Sequence, residues 1–111
     1  MKKLLDNVRA LTEEELQNAN KKFPMFSSDH EGSAVMLEEI EEVKDALQGV
    51  EAFYAELWDS VKNNRELEAR VSAGGLKGEA LDLAAEAVQV AAMAQKFIDS
   101  QDIRDEEVRD H

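Results

Sequence analysis

Cysteine is absent from the chain. That excludes disulfides and thiolate metal sites and fits a reducing compartment. Proline occurs once and glycine five times in 111 residues, so few positions can interrupt a helix. No apolar run approaches the ~20 residues that a membrane-spanning helix needs. Behind Met1, Lys2 and Lys3, only Leu4 and Leu5 are consecutively apolar before Asp6, too little for the core of a signal peptide. A cytoplasmic protein that does not enter a membrane is expected. Basic residues are also scarce, 13 against 25 acidic ones, for a formal net charge of −12. With no lysine or arginine cluster to release counterions, direct binding to a nucleic-acid backbone is not expected. The same charge permits binding of cations, or of phosphates through a cation.

What is present is helical in character. Apolar residues make up 43% and charged residues 34%, and no alternating strand pattern competes. The length predicts a single all-α domain over residues 1–111, near the size at which helical proteins complete their core by oligomerising. A dimer or tetramer is therefore expected.

The dominant stretch spans residues 28–63. Met36, Ile40, Val43, Leu47, Val50, Tyr54, Leu57 and Val61 alternate at steps of four and three, which keeps them on one helical seam and marks a packing face. About a quarter turn away lies a second stripe, Val35, Glu38, Glu39, Glu42, Ala46, Gly49, Phe53 and Glu56, so an inner set of carboxylates borders the core. Ser28 with Glu31 three residues later predicts a capping box at the start of this helix. Upstream, residues 1–22 read as two short helices, the second capped by Thr12 with Glu15, and ending where Phe23 precedes Pro24. Downstream, the polar residues from Lys62 to Arg65 and the Gly74-Gly75 pair predict the main loop. A second core helix follows over 77–99, its apolar cover nearly all round, and then an acidic tail over 101–111. Two long helices joined by one loop make an antiparallel hairpin, and a helical bundle completed by oligomerisation would bury the seams that one hairpin leaves open.

Glu39 and Glu42 have the spacing to bind one ion together, and Glu38 can hold a second ion or orient a water. In the last core helix Glu86 sits on an apolar face with Gln89 on its flank. A buried carboxylate must find a partner or a proton, because uncompensated burial costs several kcal/mol. Mg²⁺ is a natural partner, since it takes oxygen ligands and is shared between carboxylates and substrate phosphates. The plainer reading makes these glutamates a wetted flank of the seam, with Glu86 paired to an arginine of another helix. His30 reads as a residue of the helix start, and Tyr54 and Trp58 as core or subunit contacts. Histidine occurs only at His30 and His111, and no Glu-x-x-His motif exists, which removes the di-iron carboxylate bundles.

The segment HEGSAVMLEEIEEV, followed downstream by EAVQVAAMAQKFI, resembles the MazG-like branch of the all-alpha nucleoside triphosphate pyrophosphohydrolases, particularly small phage and prophage members. The resemblance covers roughly residues 23–99. It implies an E-x-x-E motif and an E-x-x-D motif that bind Mg²⁺, with Mn²⁺ as a substitute, and hydrolysis of a nucleoside triphosphate to monophosphate and pyrophosphate. Carried onto this chain, the first motif falls on Glu39 and Glu42, with Glu38 before it, and the second on Glu86, with Gln89 at the aspartate place. Gln89 departs from the motif and brings no negative charge. The interval between the motifs is also longer than the superfamily usually shows. A hairpin turning near Ala69 would set Glu86 against residues 52–56, which makes Glu56 a rival to Glu42 and, like Glu38, a candidate for orienting or deprotonating the attacking water. The expected function is thus a Mg²⁺-dependent pyrophosphohydrolase, or a relative that binds nucleotides with reduced activity. The alternative is a non-catalytic acidic oligomer that acts as an interaction or decoy module.

Overall fold

Three α-helices, Lys2–Lys22 (α1), Asp29–Lys62 (α2) and Glu66–Arg109 (α3), account for nearly all of residues 1–109, the part of the chain that the computed structural model describes. No strand occurs among the described residues. None of these helices is long and apolar enough to cross a membrane. Contacts divide the chain into two compact units, one formed by Met1–Ile40 with the part of α3 from Ala87 onward, the other by Glu41–Glu86.

In the first unit α1 runs unbroken through the place where two short helices are expected. Thr12 does not cap. Its hydroxyl donates to the Val8 carbonyl at 2.8 Å, the back-bonding that lets threonine sit inside a helix. The helix stops where sequence predicts, with Phe23 extended before Pro24, because proline disfavours helical geometry in its predecessor. Residues 23–28 then fasten onto α3. The Phe26 N–H donates to Ser100 Oγ at 3.0 Å, the Arg104 guanidinium donates to the Phe26 carbonyl at 3.2 Å, and Arg104 also pairs with Asp29. Ser28 caps α2 by accepting the Glu31 N–H at 3.1 Å. The other arm of the expected capping box is missing, because the Glu31 carboxylate accepts the Ser27 hydroxyl instead. Phe26, Ala92 and Met93 form the core of this unit, with Leu16, Ala19, Val35, Met36 and Phe97 around them. Each large side chain buried there contributes roughly 1.5–3 kcal/mol.

The second unit contradicts the expected loop. α2 and α3 are joined at Asn63, Asn64 and Arg65 alone, and Asn64 has φ 57°, a left-handed conformation that asparagine tolerates better than most residues. Arg65 pairs with Asp59 and, at 2.8 Å, with Glu68, which anchors both sides of the turn. α3 therefore begins at Glu66, eleven residues before the predicted start, and Gly74 and Gly75 lie within it. The predicted acidic tail is likewise helical through Arg109, and its last two residues lie outside the described part.

Gly49 of α2 meets Glu79 of α3, and Phe53 meets Gly75. Four residues forward on α2 are four residues back on α3, so within this unit the two helices run in opposite directions. The face of α2 that is covered carries Ala46 and Ser60, with Val43, Gly49, Val50, Phe53 and Leu57 half-buried around them. The predicted seam is split as a result: Leu47, Tyr54 and Val61 remain exposed, as does Trp58. Small residues explain the choice. Ala46, Gly49 and Ser60 on α2 and Ser72 and Gly75 on α3 allow backbones to approach where the bulkier seam would hold them apart.

Candidate functional site

The register set by Gly49 with Glu79 and Phe53 with Gly75 continues seven residues further to Glu42 and Glu86. Their carboxylates offer oxygens within 4.8 Å of each other. Two carboxylates in water repel by about 1 kcal/mol at 4 Å, and by more beside a protein surface. The two carboxylates share an opening. Asp45, Glu79 and Asp82 stand around it, with Ala46 as the only uncharged residue of the wall.

Glu39 belongs to the first unit, where it is half-buried. Opposite oxygens around Mg²⁺ stand about 4.2 Å apart, twice the ~2.1 Å ligand distance. The separation of Glu42 and Glu86 is compatible with that span. An all-oxygen, anionic donor set fits a hard divalent cation such as Mg²⁺ or Mn²⁺ and is a poor match for soft metals.

The other named residues divide cleanly. Glu38, Glu39 and Gln89 line a cavity of about 480 Å³ in the first unit, together with Phe23, Phe26, Met93 and Lys96. Glu56 goes elsewhere. It borders a shallow opening beside the turn, with Asp59, Arg65 and Glu68, fourteen residues from Glu42, or about 21 Å along α2 at 1.5 Å per residue. The rivalry between Glu42 and Glu56 for Glu86 is thus resolved toward Glu42, because the turn falls at Asn64 rather than near Ala69. His30 lies at the start of α2 in a depression with Gln101 and Arg104.

Sequence reasoning passed over Lys96 as a site residue. It is 2% exposed, and its ammonium lies 5.1 Å from the centre of the Phe26 ring, within cation–π range. Burial holds its pKa below the ordinary lysine value of 10.5, an effect that the nearby Glu31 carboxylate partly offsets. A signal does exist in sequence, since Lys96 is the one charged residue in the stretch EAVQVAAMAQKFI after Glu86. No protein-family model matches the chain, and neither a curated protein nor a solved structure matches it.

Proposed function

We propose that the protein is a Mg²⁺-dependent nucleoside triphosphate pyrophosphohydrolase, converting a nucleoside triphosphate to monophosphate and pyrophosphate. The observation that carries this reading is the approach of Glu42 and Glu86, one carboxylate from each of two helices. The motif words on Glu39, Glu42 and Glu86 support it from the sequence side. On the motif words, Glu39, Glu42 and Glu86 would hold the metal, with Gln89 offering a neutral carbonyl. An ion held there would supply charge to neutralise the phosphates. Glu38 accepts a hydrogen bond from the attacking water and takes its proton as the water adds to one phosphorus of the α–β anhydride, whose P–O bond breaks to release monophosphate and pyrophosphate. Glu56 has no part in this, being too far along α2.

The functional form is a helical bundle in which the α2–α3 hairpin is completed by a second copy. Leu47, Tyr54, Trp58 and Val61 support that arrangement, since they fall on one line of α2 and are each more than two-fifths exposed.

Incubation with a panel of ribo- and deoxynucleoside triphosphates and Mg²⁺ tests the reading. Monophosphate plus pyrophosphate is expected, lost on adding EDTA and in Glu86→Gln. Absence of product from every triphosphate, with folded protein, would overturn it. The net charge of −12 and the neutral Gln89 favour a second reading, an acidic association module. That reading requires salt-sensitive capture of a basic partner that survives replacement of Glu39, Glu42 and Glu86.

A further inference from the structure

The cavity of about 480 Å³ in the first unit differs in kind from the carboxylate opening. Its size falls within the ~300–1,000 Å³ typical of small-ligand sites, and such sites combine apolar walls with a few placed polar groups. Here the walls are Phe23, Pro24, Phe26, Val35 and Met93, and the buried cation is Lys96.

The parts of a nucleotide suit this cavity unequally. A triphosphate tail would meet four carboxylates, Glu15, Glu31, Glu38 and Glu39, against two ammonium groups, Lys22 and Lys96, so like charge outnumbers its counterpart on these walls. A nucleobase is flat, uncharged and aromatic, and stacks on a side chain such as Phe23 through a face that every base possesses. Lysine carries donors and no acceptor. A donor of this kind is matched by a ring carbonyl oxygen, present in uracil, thymine, cytosine and guanine. Adenine has no carbonyl: its N1 and N7 acceptors flank the 6-amino donor, and its N3 acceptor lies beside the sugar-bearing N9.

We propose that this cavity is a nucleobase site in which the Lys96 ammonium donates to a ring carbonyl of the base, so that bases bearing a carbonyl are preferred over adenine. The identification of the ligand as a nucleotide rests on the pyrophosphohydrolase reading. The preference should be about tenfold or more, the factor that one hydrogen bond to a charged group is worth.

Nucleosides separate this site from the metal centre, because they carry no phosphate and need no ion. The probe is calorimetric titration of the full chain with uridine, thymidine and adenosine in EDTA. Uridine and thymidine should bind at least about tenfold tighter than adenosine. Lys96→Met should bring the three within about twofold of one another, with helicity unchanged by circular dichroism. Phe23→Ala, at a residue 64% exposed and so safe for folding, should weaken all three alike. Equal binding of adenosine, no binding by the folded protein, or a preference that survives Lys96→Met would each overturn the proposal. Expected nucleoside binding without triphosphate hydrolysis would remove the enzymatic reading and leave this site standing. Hydrolysis without nucleoside binding would do the reverse.

Discussion

Gly75 of α3 faces the ring of Phe53 of α2 so closely that the ring occupies the space where a side chain would begin. Gly74 and Gly78, on either side of it, have nothing within 4 Å of that position. The three glycines therefore give opposite expectations for the same substitution. Alanine gains roughly 1 kcal/mol over glycine in a helix interior, and overpacking costs about 1–3 kcal/mol. Gly74→Ala and Gly78→Ala should each stabilise by roughly 0.5–1 kcal/mol, and Gly75→Ala should destabilise by up to about 2 kcal/mol. Urea denaturation of the three variants checks this. A Gly75→Ala protein as stable as Gly74→Ala would mean that Phe53 does not pack on this glycine.

The pairing of Glu42 with Glu86 rather than Glu56 has a direct consequence for metal binding. Mg²⁺ or Mn²⁺ at ten times its Kd should raise stability by about 1.4 kcal/mol through mass action, a shift of several degrees in Tm. Glu42→Gln and Glu86→Gln should each abolish that shift. Glu56→Gln, about four helical turns away, should retain it. Thermal melts with the metal and with EDTA distinguish the three, and a shift lost in Glu56→Gln would contradict the placement.

The all-helical composition is legible in the sequence because proline and glycine are few and the apolar periodicity of residues 28–63 is unbroken. The start of α3 is not. Gly74-Gly75 read as a breaker, and only the position of Phe53, set by a register that sequence does not display, shows why these glycines belong inside a helix. The same register decides which carboxylate meets Glu86, so the ligand types were legible from spacing on each helix while their pairing was not. Of the two stripes on α2, the more apolar one looked like the packing face. Close approach through Ala46, Gly49 and Ser60 favoured the other. Lys96 was overlooked because a lysine in an alanine-rich helix reads as a solubilising residue, and its burial depends on the chain between α1 and α2 folding back over α3.

Exposed Tyr54 and Trp58 make self-association measurable. Tryptophan occurs once in the chain, so its emission reports this face alone. Rising protein concentration should move the emission to shorter wavelength as a second copy covers Trp58, and sedimentation should show an oligomer. Tyr54→Lys combined with Leu47→Lys should give a monomer with unchanged helicity, because both side chains are exposed and burying an unpaired lysine between copies is costly. A wild-type protein that sediments as a monomer, with constant emission, would exclude this interface.

Lys96 gives the fold a pH dependence whose direction follows from its environment. Burial lowers its folded pKa below the ordinary 10.5 and Glu31 only partly compensates. Below the folded value both states carry the proton, and the buried charge weakens the fold without any change with pH. Between the folded value and 10.5 the unfolded chain binds a proton that the folded chain has released, so stability must rise with pH across that window. Above 10.5 both states are neutral and the rise ends. Lys96→Met removes the group while keeping a long apolar side chain in place beside Phe26. The variant should be more stable than the parent at neutral pH, and the difference should shrink as the pH climbs through the window. Titrations common to both proteins cancel in that difference. Denaturation at a series of pH values on both proteins provides the measurement, and a gap that stays constant with pH would show that Lys96 keeps its ordinary pKa in the folded state.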